Sequence, residues 1–297
     1  MSATAVDSRA CHAAESQPHF DHLIRSFDHN FCMVGVMGDA RGRQAEIVRE
    51  LKQSTLVSVT ELAQRLATSE ITIRRDLAEL ESAGLLRRVR GGAVSAMLRG
   101  DELPFAMREL EYAEAKRRIA AVAVGLISEG EAVVLDSGTS GLAAAHEIRQ
   151  RRVTVMPLSL SAIGALAAAE RVSMLLPGGT VRPHELSVVG PMVQDNLAAL
   201  RFDTMLLTCC GFDVDRGVTA FDLQDAAVKR AALRASARVI AMVDGSKFVR
   251  TAMAVVCAVT DIDVVVTDSS APVDAVAALE AAGVRVLRAS LGAEADS

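Results

Sequence analysis

Apolar residues fall into helical spacing from residue 43. Ile47, Val48 and Leu51 share one face of 43–53 and predict an amphipathic helix. Two further helices are predicted over 60–66 and from 70 to about 83. Leu62, Ala63, Leu66, Ile71, Ile73, Leu77 and Leu80 supply the apolar positions of a trihelical core. Ser69 stands where a hydroxyl caps the second of these helices, and Gly84 stops it. LLRRVRGGAV (85–94) then reads as a two-stranded wing.

The pattern changes after this compact unit. Residues 97–111 are polar, contain Pro104, and read as a linker. A helix is predicted over 112–128. Short β-like runs follow: AVVLD (132–136), VTVMPL (153–158), VSMLLPGG (172–179), TMLLTCC (204–210), ARVIAMVD (237–244), DVVVTD (263–268) and VRVL (284–287). Ala-rich helical segments near 139–150, 159–169, 190–200, 223–236 and 271–282 separate them. Such alternation predicts an α/β fold with a mainly parallel sheet covered on both faces. The expected organisation is a winged helix-turn-helix over 41–96, a linker over 97–111, and an α/β domain over 112–297.

Residues 1–40 belong to neither pattern. They hold four of the six histidines and two of the five cysteines at irregular spacing. A metal-binding tract and a disordered tail compete for this segment, as does a stretch ahead of a true start at Met33 or Met37. The expectation is a disordered or mis-assigned extension.

Charge sharpens the division. Residues 41–99 carry 11 Lys/Arg against 7 Asp/Glu, whereas residues 100–297 carry 19 against 25. A basic module joined to an acidic one suits a DNA-reading head with a separate control domain. Thr72, Arg74 and Arg75 are expected to face outward near the start of the second short helix, where base edges and phosphates are met. Arg87, Arg88 and Arg90 arm the wing. With one tyrosine and no tryptophan, a stacking surface for single strands is not expected. No run of about 18 charge-free apolar residues predicts a membrane span. Cysteines without a pairing framework fit a reducing cytoplasm.

In a sheet of this type ligands meet the carboxyl ends of strands. Asp136-Ser137-Gly138-Thr139-Ser140 follows AVVL directly. Its glycine permits a tight turn, its hydroxyls donate, and the next helix offers free N–H groups to an anion. A phosphate cradle and a serine-rich helix cap both remain open on this pattern. Ser159 follows the next strand. Gly211 and Asp213 either hold sugar hydroxyls or close a turn. Lys229 and Lys247 could together neutralise a phosphomonoester. Neither GxGxxG nor GxxxxGK[ST] occurs, and no metal-ligand spacing is present, so no cofactor and no metal are expected. GxSxG and HExxH are also missing, and no catalytic set emerges.

These residues resemble the DeoR-type bacterial transcriptional regulators from about residue 41 onward. The head matches through ELAQRLATSEITIRRDLAELESAGLLRRVRGGA. The large domain matches through LDSGTS, LLPGGTVR, SVVGP, GFDVDRGVT, AAVKRA and DGSKF. The resemblance implies a sensor domain similar in fold to ribose-5-phosphate isomerase. It also implies a cytoplasmic repressor, not an enzyme, that binds double-stranded operator DNA as a homo-oligomer. A small phosphorylated metabolite, sugar phosphates among the candidates, would release it. It gives the DNA-contact role to Thr72, Arg74, Arg75 and the wing arginines, with Ser69 beside them. It places the phosphate loop at Asp136 to Ser140 and assigns Arg182, Lys229, Lys247, Gly211 and Asp213 to the effector pocket. This chain departs from the family pattern at Arg90, at Pro157-Leu158, at Thr208 and at Cys210. The changes at Pro157-Leu158 and Cys210 reduce hydroxyl-binding capacity and point to an effector with fewer hydroxyls. A sugar-phosphate isomerase is the alternative reading, and a repressor with a diverged sensor pocket is another.

Overall fold

The computed structural model describes residues 34–54, 56–82, 84–95, 105–183 and 185–289. The expectation for the N-terminal extension falls mainly outside them, as does His184.

The head begins with α1 (Val34–Gln53), which starts well before the position its periodicity predicts. After it come β1 (Leu56–Ser58), α2 (Val59–Arg65) and α3 (Glu70–Ser82). Strands β2 (Leu86–Val89) and β3 (Gly92–Ser95) form the wing. The wing is three-stranded, because β1 pairs antiparallel with β3 along its other edge. Gly92 makes that pairing possible: a Cβ there would lie 2.0 Å from the Val57 carbonyl oxygen.

Ile47, Leu62, Ile73, Leu77 and Leu80 are buried in one cluster. Ile71 is not among them. It stands 81% exposed on the first turn of α3, so its assignment to the core is corrected. A bidentate pair between Arg43 and Asp76 (Nε–Oδ2 2.5 Å, Nη2–Oδ1 3.1 Å) ties α1 to α3 at the edge of this core. Two-point geometry and burial make it a fixed strut.

Part of the expected linker is structured. Residues of α4 (Phe105–Leu110) form a helix whose Phe105 and Met107 are buried. Met107 joins the core of the head, and Leu110 packs against it. The Phe105, Met107 and Leu110 side chains override the polar composition around them. α5 (Ala113–Gly125) follows directly.

The sensor domain is built on seven parallel strands: β4 (Ala132–Leu135), β5 (Val153–Pro157), β6 (Val172–Met174), β9 (Phe202–Leu207), β12 (Ser236–Val243), β14 (Val264–Asp268) and β15 (Arg285–Ala289). Their order is β15-β14-β12-β9-β4-β5-β6. This is the expected α/β architecture. Two large apolar clusters cover its faces, one around Phe212, Met205 and Val265, the other around Ile119, Leu135 and Ile240. The helices are α6 (Gly138–Ile148), α7 (Leu160–Leu166), α8 (Pro191–Ala198), α9 (Leu223–Ala235) and α10 (Val273–Ala281).

Smaller sheets were not expected. The hairpin β7 (Thr180–Val181) and β8 (Val188–Val189) follows the predicted 172–179 run, of which only Val172–Met174 is strand. A three-stranded sheet joins β10 (Gly211–Asp213), β11 (Gly217–Ala220) and β13 (Ala254–Cys257).

Strand order reverses at β4. The chain leaves it toward β5 and β6 on one side, while β9 and its successors build the other side. The carboxyl ends of β4 and β9 therefore flank a switch point, where diverging loops open a crevice.

Candidate functional site

Two polar regions stand out. The first is on the head. Ser69 precedes α3 and its Oγ accepts from the Thr72 N–H (3.1 Å), so it caps the helix as expected. Its hydroxyl also bonds that of Thr72 (2.8 Å) in an exposed pair, and Thr72 is partly exposed. Arg74 and Arg75 are exposed on α3, and Arg87, Arg88 and Arg90 are exposed on the wing.

Three of these arginines already hold a carboxylate. Arg74 pairs with Glu70 at 3.1 Å, Arg75 with Glu79 at 3.2 Å and Arg88 with Glu81 at 2.6 Å. Glu81 also accepts from the Arg88 backbone N–H (2.8 Å), and that bond leads the downward displacement of its carboxyl pKa. Glu70 is lowered too, first by the Thr60 hydroxyl and then by Arg74. Exposed pairs of this kind are worth little and exchange readily. Phosphate oxygens can replace the glutamates with small loss. Between α3 and the wing lies a cleft lined by Val59, Arg74, Leu77, Glu81, Arg88 and Val89.

The second region is the crevice at the switch point. Asp136 follows β4 and is 1% exposed. Its Oδ1 accepts from the Ser137 N–H (2.8 Å). Its Oδ2 accepts from the Thr208 N–H (2.8 Å), the Thr208 hydroxyl (3.0 Å) and Lys229 Nζ (2.5 Å). One carboxylate thus joins the loop after β4, the loop after β9 and α9. Lys229 is 2% exposed and stands 3.5 Å from Asp225 as well. Burial alone would strip its proton, but Asp136 and Asp225 outweigh that and raise its pKa, so the ammonium stays charged.

Above this cluster is a small recess that opens to solvent. Ser137, Gly138, Arg182 and Lys229 line it as expected. Gly138 has φ +88°, which glycine adopts freely, and it opens α6. Thr139 and Ser140 occupy the buried first turn of α6, whose N–H groups lack intrahelical partners. Gly141 lets this turn sit on the loop: a Cβ there would meet the Asp136 carbonyl oxygen at 2.1 Å. Arg182 reaches Ser187 Oγ (3.4 Å) and Asp222 (3.6 Å).

Other expected site residues lie elsewhere. Ser159 is fully buried, and its Oγ caps α7 by accepting from the Ala162 N–H (3.2 Å). Asp213 accepts from the N–H groups of Asp215 and Arg216, both at 2.9 Å, and closes the β10–β11 turn. Gly211 is required by the close pass of the Arg250 carbonyl oxygen, 2.4 Å from where a Cβ would be. Neither Gly211 nor Asp213 lines this recess. Lys247 ends a short 3-10 turn (Gly245–Lys247) beyond β12, within electrostatic reach of Cys209 and Lys116 but off the recess wall.

The recess also uses residues that were not expected as ligand contacts: Glu185, Ser187, Thr208, Cys209, Cys210 and Asp225. Asp225 had a signal, since it precedes Lys229 by one helical turn. Thr208 had one in its place at the end of β9. Glu185 and Ser187 arrive through a loop with no local pattern. Burial pushes the Cys209 thiol up to about 12, so it is a neutral wall group and not a nucleophile. Among the described residues no group of three or more His, Cys, Asp or Glu could hold a metal ion.

Family models match both parts of the chain. Residues 43–97 match a DeoR-like helix-turn-helix domain, and residues 111–269 match the DeoR C terminal sensor domain. Relatives match about four-fifths of this chain and nearly the whole of their own length. The transcriptional repressor AccR of Agrobacterium fabrum is 35% identical over 79% of this chain and 92% of its own. The glycerol-3-phosphate regulon repressor of Escherichia coli is 32% identical over 78% and 92%. The L-fucose operon activator of Haemophilus influenzae is 31% identical over 77% and 92%. Among solved structures, ribose 5-phosphate isomerase A of Methanocaldococcus jannaschii overlaps 46% of this chain and 55% of its own, at 14% identity and a TM-score of 0.36.

Proposed function

The chain belongs to the DeoR family of sensor-controlled, DNA-binding transcriptional regulators, and from that premise we propose that it is a cytoplasmic repressor released from its operator by a small phosphorylated metabolite. The observation that carries the reading is the cationic face of the head. Arg74 and Arg75 on α3 and Arg87, Arg88 and Arg90 on the wing are all exposed, and Arg74, Arg75 and Arg88 pair with the exposed Glu70 and Glu79 and the partly exposed Glu81. A duplex placed against this face receives α3 in its major groove and the wing on adjacent phosphates. Ile71 and the arginines would reach base edges there, the former suited to a thymine methyl.

The phosphoryl group is assigned to the first turn of α6, where Ser137, Gly138, Thr139 and Ser140 present hydroxyls and free N–H groups. Arg182 supplies the positive charge on the opposite wall. Lys229, whose charge already meets Asp136 and Asp225, holds the cradle's shape while lining it. Two thiols and one threonine at 208–210 offer few sites for sugar hydroxyls, which supports a small and sparsely hydroxylated effector. The same commitment of Asp136 and Lys229 to each other supports binding rather than turnover, because an isomerase needs a free acid and base. Two copies acting on paired half-sites suit this type of head. Control of carbohydrate or related genes is the reading that the relatives support, repressors and an activator among them.

The test is an anisotropy titration of the full chain against its own upstream DNA at several salt concentrations. It is then repeated with glycerol 3-phosphate, other sugar phosphates and small phosphorylated acids. Tight, salt-dependent binding relieved by one compound supports both halves. Salt-dependent binding that no phosphorylated compound relieves removes the effector assignment, and absence of specific DNA binding anywhere in the genome removes the repressor.

A further inference from the structure

Three charged side chains are buried together outside both regions described above. Arg108, Glu111 and Lys116 are 9%, 7% and 4% exposed, respectively. An ionised group leaves water only where partners replace its hydration, so each of these side chains marks a fixed attachment. Arg108 on α4 forms an ion pair with Glu185, their side chains being 10% and 16% exposed. Its guanidinium also lies 5.9 Å from the centroid of the Phe105 ring. Lys116 on α5 donates from Nζ to the carbonyl oxygens of Arg108 and Glu111. A cation there suits the carbonyl end of α4. Asp244 and Lys247, at the end of β12, face this ammonium from the sensor side.

α4 is therefore gripped by the sensor at Arg108 and by Lys116 at its exit. It packs against α6 on one side and α1 on the other. Met107 is sunk in the core of the head. The residue that grips Arg108 is also a wall residue of the recess, Glu185. Arg182, on the same loop, lines the recess and is held to Ser187 and Asp222. A contiguous set of contacts runs from the recess wall to the core of the DNA-binding head.

We propose that Arg108 and Glu185 are the positioning pair that sets the head on the sensor, so that loss of the Glu185 charge inside the recess lowers operator affinity. This rests on reading the recess as the effector site. An anion bound between α6 and Arg182 places negative charge beside the Glu185 carboxylate in a partly desolvated space, where like charges repel strongly. Glu185 then either takes up a proton or leaves, and Arg108 loses that counter-charge. α4 is freed to shift, and because Met107 is embedded in the head, the head shifts with it. The two arrangements of α4 form the two-state element that such coupling needs.

The experiment uses the full chain and no ligand. Glu185→Gln removes the charge that a bound anion would repel. It should speed amide hydrogen exchange across 105–110 about tenfold and weaken binding to an operator fragment about tenfold, within the usual range of site-to-site coupling. Arg108→Glu should do the same. The double exchange Arg108→Glu with Glu185→Arg should restore both readouts to within about threefold, which a merely destabilised loop would not do. Unchanged exchange in Glu185→Gln overturns the proposal. Faster exchange with unchanged operator affinity overturns the link to DNA, as does a double exchange that fails to restore either readout. If the parent binds no DNA, the repressor reading fails instead, and the exchange experiment still decides whether the pair holds α4.

Discussion

The arginines of the head and the lysine of the sensor carry the same charge in opposite circumstances. Arg75 has a side chain 82% exposed and a single carboxylate neighbour on its own helix. Lys229 has one 3% exposed and is enclosed by Asp136, Asp225 and Thr208. The first is a charge in waiting, solvated and held by a partner that a phosphate can replace. The second is a structural member, whose removal would strand a carboxylate in the protein interior. Charge alone therefore does not mark a ligand contact. Exposure and the number of existing partners decide it.

The contrast can be broken most directly at Lys229. Lys229→Met leaves Asp136 buried without its cation, which typically costs about 3–5 kcal/mol. Urea unfolding should show that loss in the sensor, while Arg75→Ala should stay within about 0.5 kcal/mol of the parent. Equal effects of the two would show that Lys229 is not committed as described. A second comparison runs the other way. Arg74→Ala should cost about 1–3 kcal/mol of operator binding if it meets a base edge, with unfolding of either domain unaltered. A gel-shift titration matching the parent would remove Arg74 from the interface.

Lys116 offers a test through pH. Burial, opposed by Asp244 and Glu111 and reinforced by Lys247 and Arg108, lowers its pKa from 10.5 to about 8. Between those values the unfolded chain keeps a proton that the folded chain has released. Stability contributed by this group therefore rises with pH across that window and is flat below it, by about 1 kcal/mol between pH 7 and 9. Denaturation at both pH values should show the rise in the parent and not in Lys116→Met. An identical slope in the two would place the titration elsewhere. The smallest effect is expected on the wing, where Arg88→Ala should weaken binding evenly across sequences and reduce the salt slope by about 1. A change in sequence preference would make Arg88 a base contact instead.

The head was the more legible half of the sequence. Its cap, turn and wing arise from residues close together in the chain, and local pattern reports local structure. Even so, Ile71 has core spacing and lies on the surface. Spacing cannot tell which side of a short helix meets the core when both ends of its first turn are apolar or threonine. The parallel sheet was equally readable, because buried strands form runs of Val, Leu and Ile between Ala-rich helices. The short strands β10, β11 and β13 were not, since three or four residues show no period. Of the recess, only the part built on one loop was visible. Glu185 sits in a loop of no distinctive pattern, and its importance comes from a pair 77 residues apart. The helix α4 was hidden for a related reason. Its buried Arg108, and Glu111 just after it, read as solvated linker charge until their partners are known.

Asp136 closes the two loops of the crevice from below, and its oxygens are spent on the protein itself. The side chains that would choose a ligand, at 182, 185, 187 and 208–210, stand above it on separate loops. Foldability and selectivity are thereby assigned to different residues. A duplicated gene could drift through many wall compositions while the foundation stays intact, each descendant inheriting a cradle for the same charged group and answering to a different molecule attached to it.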